Sequence, residues 1–120
     1  LDDVAIGLAP LVETDPFCRG KSFGKSLAYL DRGVPVVASN TGEPRAFFTS
    51  GTGVLCQTEN DWVRRVLGLL QDAPARTAMA DAGFVAFQRR LSVDAAAEHV
   101  VRVVQSVLDA RDTPDCQARL

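Results

Sequence analysis

A chain of 120 residues, 47% hydrophobic and 23% charged, has the make-up of a single globular domain. Its formal charge of −2 excludes the overall basic balance of a nucleic-acid binder, and its apolar runs are too short to span a bilayer. The three cysteines, Cys18, Cys56 and Cys116, are odd in number and widely spaced, which fits reduced thiols in a cytoplasmic protein better than a disulfide framework or a zinc site.

The chain opens on Leu1 and runs straight into a strand-like segment. The expectation is of a fragment whose upstream part is missing. Val4 to Leu8 reads as a short strand covered on both faces, as in parallel sheets, and Pro10 ends it. Leu11 to Lys21 reads as a loop, long for a strand-to-helix connection and so a candidate for function. Ser22 is the expected N-cap of a helix over 23–32, with Phe23, Leu27 and Leu30 on one face and Gly33 as the stop. Val34 to Ala38 is the next buried strand. Glu43 to Phe48 is a short helix with Pro44 at its first position, and Gly53 to Cys56 is a third strand.

Thr58 and Asp61 then form a capping-box-like start. Val63, Val66, Leu67 and Leu70 give the amphipathic spacing of a helix that Pro74 breaks. Ala80, Phe84, Phe87 and Leu91 mark a further helix. Ser92 caps the last one, whose expected buried stripe is Ala97, Val100, Val101, Val104, Val107 and Leu108. Asp112 to Leu120 has no periodicity and reads as a tail, which leaves 1–111 as one partial domain. Alternating strands and helices predict an α/β fold with a Rossmann-like parallel sheet and flanking helices.

Arg19-Gly-Lys-Ser-Phe-Gly-Lys-Ser26 is the stretch that carries chemistry. It lies between the end of a strand and the first turn of a helix, where open α/β sheets bind ligands. Gly20 and Gly24 allow close backbone approach, and Arg19, Lys21 and Lys25 supply positive charge. Free N–H groups at a helix start complete a setting for a phosphate or diphosphate. Gly24-Lys25-Ser26 ends like a Walker A loop. That motif needs a glycine where this chain has Arg19, and it follows its strand without the intervening loop. A solvated basic loop is the bland alternative.

The run from Asp15 to Ser39, Asp-Pro-Phe-Cys-Arg-Gly-Lys-Ser-Phe-Gly-Lys-Ser-Leu-Ala-Tyr-Leu-Asp-Arg-Gly-Val-Pro-Val-Val-Ala-Ser, resembles the donor-site segment of GT-B glycosyltransferases of the group 1 type. The closest branch reads approximately P-F-x-R-G-K-S-x-x-K-x-L-E-Y-x-A-x-G-x-P-V-V-A-S. The likeness continues through Gly42-Glu43 and Gly51-x-Gly53-Val-Leu, and weakly over the C-terminal helices. It implies the C-terminal part of a GT-B nucleotide-sugar-binding domain, in a protein that transfers a sugar from a nucleotide donor to a glycan, lipid or small-molecule acceptor. It implies that Lys21 and the amides of Ser22, Phe23 and Gly24 hold the donor diphosphate. It implies no metal or other cofactor held by the protein. The family's ribose-binding acid falls at Ala28, whose methyl cannot accept a hydroxyl bond. The family's catalytic Arg and Lys, and its acceptor-binding N-terminal domain, are expected upstream, so this piece alone is expected to be inactive. Any membrane association would come through that missing domain.

Other residues are weighed both ways. Glu13 and Asp15 in the long loop, and Glu43 and Arg45 after the second strand, are candidates for the functional rim or plain surface charges. Cys18 beside Arg19 reads as a bystander thiol, His99 as structural, and Trp62 as packing. The remaining alternatives are a non-catalytic remnant of the domain and an unrelated anion-binding module.

Overall fold

The computed structural model describes residues 3–49 and 51–111. The expected tail and Cys116 lie outside the described residues. Three short strands, β1 (Gly7–Ala9), β2 (Val36–Ser39) and β3 (Val54–Cys56), form a parallel sheet in the order β1-β2-β3. Gly7 pairs with Val36, and Val37 pairs with Val54. The helices are α1 (Pro16–Arg19), α2 (Gly24–Leu30), α3 (Gly42–Phe47), α4 (Glu59–Gln71), α5 (Ala73–Arg90) and α6 (Val93–Arg111). The chain divides into two compact units between Gln88 and Arg89.

Within the first unit the sheet is covered on both faces, because the side chains of a strand alternate. Ala9, Val36 and Ala38 meet Phe23, Leu30, Phe47, Phe48 and Phe87 on one face. Val37 and Cys56 meet Leu69 on the other, with Trp62, Val66 and Met79 around them. Parallel crossovers are almost always right-handed, so two that advance in one direction lay their helices on one face. The packing residues of α2 and α3 do share the first face, and those of α4 take the second. This is an α/β arrangement compatible with a Rossmann-like fold.

Coverage on both faces holds for β2, whose four residues are all buried. It fails for β1, where Leu8 stays 43% exposed and the strand starts at Gly7 instead of Val4. The reason is position: β1 is an edge strand of the described sheet, and only its Gly7 and Ala9 side is packed. α2 ends at Leu30 with Asp31 as its C-cap, short of the expected Arg32, and Gly33 follows in the left-handed conformation at φ +63°. Its N–H donates to the Leu30 carbonyl, and that of Val34 donates to the Tyr29 carbonyl.

Thr58 caps α4 in a complete capping box: its hydroxyl accepts from the Asp61 N–H, and the Asp61 carboxylate accepts from the Thr58 N–H. Those backbone bonds hold the Asp61 carboxyl below its ordinary value, with Arg64 at 2.8 Å adding a little. Thr58→Ala is therefore expected to destabilise the fold by about 0.5–2 kcal/mol in urea unfolding. A depressed carboxyl stabilises above the ordinary Asp range, near pH ~3.9, and loses that contribution as the pH falls through its folded value. Thr58→Ala keeps the backbone donors to Asp61 and removes only the hydroxyl, a smaller cause of the depression, so the gap should narrow only slightly in acid. A gap independent of pH would show that the Thr58 hydroxyl does not couple to the Asp61 carboxyl.

The apolar faces of the later helices differ from the expected ones. On α4, Trp62, Val66 and Leu69 face the sheet, while Val63, Leu67 and Leu70 are 59%, 49% and 51% exposed. Trp62 does serve packing. Pro74 does not leave a gap after α4; it sits in the first turn of α5, where its missing N–H costs nothing. Asp72 caps that turn by accepting from the Ala75 N–H at 2.9 Å. The packed side of α5 runs through Gly83 and Phe87, while Phe84 is 37% exposed. Ser92 caps α6 by accepting from the Ala95 N–H at 3.2 Å. The expected buried stripe of α6 is not buried, since the helix buries none of its residues. Periodicity marks an apolar face without supplying its partner.

Candidate functional site

The loop after β1 is tied down at once. Leu11 N–H donates to Ser39 Oγ at 2.8 Å, and the Ser39 hydroxyl donates back to the Leu11 carbonyl at 2.9 Å. The last residue of β2 therefore fixes the first turn of the loop, across 28 residues of sequence. Further on, the loop is not irregular throughout. Asp15 caps the short helix α1, accepting from the Phe17 N–H at 2.9 Å, with Pro16 in the first turn. Cys18 Sγ donates to the other Asp15 oxygen at 3.6 Å. Asp15 is thus occupied by the helix it starts.

Arg19 closes α1, and Gly20 is its C-cap. Both are exposed and belong to that turn, outside the lining of the neighbouring cavity. Lys21, Ser22, Phe23 and Lys25 do come together. They line a cavity of about 200 Å³ with Ser26, Pro44 and the Ala9–Leu11 segment at the carboxyl end of β1. Lys25, which lies beyond the start of the helix, faces the same space as Lys21. The Lys21 ammonium lies 5.1 Å from the centre of the exposed Phe17 ring, a cation–π contact. Gly24 is exposed and outside that lining, and a Cβ added there meets only Ser22 Oγ, at 3.5 Å.

Ser22 is not the N-cap. Phe23 takes that place and makes no side-chain cap bond. A phenylalanine is there because its ring is needed below. It is 8% exposed and stacks with Phe47 at 5.1 Å and Phe48 at 5.5 Å. Its N–H donates to Glu43 Oε2 at 2.7 Å. One of the three amides expected to face a diphosphate thus already has an anionic partner from α3. Ala28 is exposed on α2, outside the cavity lining.

Two residues of this region carry weak sequence signals. Ser26 is 2% exposed and lines the cavity one turn after Ser22. Ser39 is a polar residue ending an apolar strand, the only hint of its bonds to Leu11.

A second cavity, of about 270 Å³, opens at the carboxyl ends of the strands. Leu11, Val12, Glu13, Thr14, Ser39, Asn40, Thr41, Cys56 and Gln57 line it. Burial pushes the Cys56 thiol up, and the Asp61 charge pushes it further, so it stays protonated. Cys18 and Cys56 are free thiols. His99 is exposed on α6. Among the described residues no three of His, Cys, Asp and Glu are grouped to hold a metal ion, and no helix is long and apolar enough to cross a membrane. No protein-family model matches the chain, and neither a curated protein nor a solved structure matches it.

Proposed function

We propose that the chain is the donor-binding part of a GT-B glycosyltransferase, holding a nucleotide-sugar for transfer to a glycan, lipid or small-molecule acceptor bound elsewhere. The cavity that joins Lys21 and Lys25 at the end of β1 carries this reading. Two ammonium groups and the hydroxyls of Ser22 and Ser26 around one space suit a diphosphate, which needs charge and several donors at once. The order β1-β2-β3 with the loop at the carboxyl ends is what one half of a doubly wound sheet offers a nucleotide. The spacing from Asp15 to Ser39 supports the same reading independently. Catalytic cations are assigned, on the resemblance, to another part of the protein.

A second reading, a non-catalytic remnant of that domain, has two observations in its favour. Ala28 offers no acceptor to a ribose, and Glu43 holds the Phe23 amide. Calorimetric titration with uridine, guanosine, adenosine, cytidine and thymidine diphosphates at two ionic strengths tests between them. The donor-site reading expects saturable binding of at least one, weakened by salt because exposed lysines supply the charge. Absence of binding for all five sinks it and leaves the remnant.

A further inference from the structure

We infer that Glu43 is a specificity-determining residue of the lysine cavity: its carboxylate, on the rim, favours a diphosphate esterified at both ends over one with a free terminal phosphate. This rests on the donor-site reading above. Glu43 lies in the first turn of α3, and its Oε2 accepts from the Phe23 N–H at 2.7 Å. Phe23 and Pro44, the residue after Glu43, both line the cavity with Lys21 and Lys25. The carboxylate is therefore held where the cavity wall passes from the start of α2 to α3. The ring of Phe47 lies 5.1 Å from that of Phe23, so an apolar contact fixes the same junction that the hydrogen bond closes.

Charge then decides between ligands. The two ammonium groups attract a diphosphate, and the Glu43 carboxylate opposes them. A phosphate esterified on both sides keeps one ionisable oxygen and a single charge. A terminal phosphate has a second, with a pKa of about 6, and carries about −1.5 to −2 at pH 7. Repulsion from Glu43 grows with that extra charge, and the Phe23 amide that would have met it is already taken. A nucleotide-sugar is of the first kind, and the nucleoside diphosphate left after transfer is of the second. Glu43 thus lowers the affinity of the spent ligand more than that of the intact donor, which favours exchange of one for the other.

The test titrates a nucleoside diphosphate, and a nucleotide-sugar built on it, against the whole chain and three variants. Glu43→Gln removes the charge and keeps a carbonyl acceptor for the Phe23 N–H; Glu43→Ala removes both; Glu43→Asp keeps the charge on a shorter arm. Expected in the two neutral variants is nucleoside-diphosphate binding about three- to tenfold tighter, with a smaller gain for the nucleotide-sugar, so that the ratio of the two affinities moves. Glu43→Asp should keep the ratio near its wild-type value. A ratio unchanged in both neutral variants, with the diphosphate bound, overturns this inference alone. A ratio that moves as far in Glu43→Asp shows that geometry and not charge sets it, and also overturns the inference. Loss of both ligands in parallel in the variants shows a structural role and does the same. No binding of either ligand by the wild type or any variant removes the donor-site reading, and this inference with it.

Discussion

Alanine at both Lys21 and Lys25 is expected to weaken nucleoside-diphosphate binding by about a hundredfold or more. A hydrogen bond to a charged group contributes about 1.5–3 kcal/mol, and each 1.4 kcal/mol is tenfold, so either single variant should lose about tenfold or somewhat more. Lys21 starts from a contact with Phe17, and such contacts at exposed sites are worth about 0.5–1 kcal/mol. If the ammonium leaves the ring to meet the ligand, the net loss at Lys21 shrinks by that amount. The two lysines share one anion, so the double variant need not equal the sum of the singles. Salt should weaken the wild type far more than the double variant, whose screened charges have gone. A double variant that binds like wild type at both ionic strengths would remove the diphosphate from this cavity altogether.

Gly53→Ala is the other change expected to have a large effect, and it acts on stability. A Cβ at Gly53 would lie 2.3 Å from Phe48 Cδ1, far inside van der Waals contact. Phe48 is 5% exposed and cannot swing into water without leaving Phe23 and Phe47, at 5.5 and 5.4 Å between ring centres. Overpacking of this kind costs about 1–3 kcal/mol, and a disrupted aromatic pair adds about 0.5–1.5 kcal/mol. Gly68→Ala is the matched control. Nothing lies within 4 Å of a Cβ there, and replacing a mid-helix glycine should stabilise by about 0.5–1 kcal/mol. Urea midpoints should therefore move in opposite directions. Equal midpoints for Gly53→Ala and wild type would mean that Phe48 is free to move. The same substitution is also expected to disturb the lysine cavity, because Phe48 supports the ring of Phe23 beside it.

What was legible in the sequence is what short-range chemistry decides. Thr58 with Asp61 and Ser92 before α6 are each settled within four residues, and each stands as read. The strand β2 was legible because a central strand is apolar on both sides. The start of α1 was readable in principle: Asp15-Pro16 is a cap followed by a first-turn proline, hidden by treating the whole segment as loop. The contacts that shape the cavities were not legible. Ser39 meets Leu11 across 28 residues, and Glu43 meets Phe23 across 20. No local pattern encodes either. Gly53, read as the first residue of the third strand, and Gly83, which no local signal singles out, are each where a neighbour comes too close for a side chain.

Helix α4 has two apolar rows one residue apart, Trp62-Val66-Leu69 and Val63-Leu67-Leu70. With 3.6 residues per turn the rows are offset by about 100° around the axis. Hydrophobicity alone would let the helix roll to either row. The capping box bears on that choice, because it fixes where the first turn begins. Thr58 thus acts as an orientation key: it helps set which row meets Val37 and Cys56, and the other row is left turned outward.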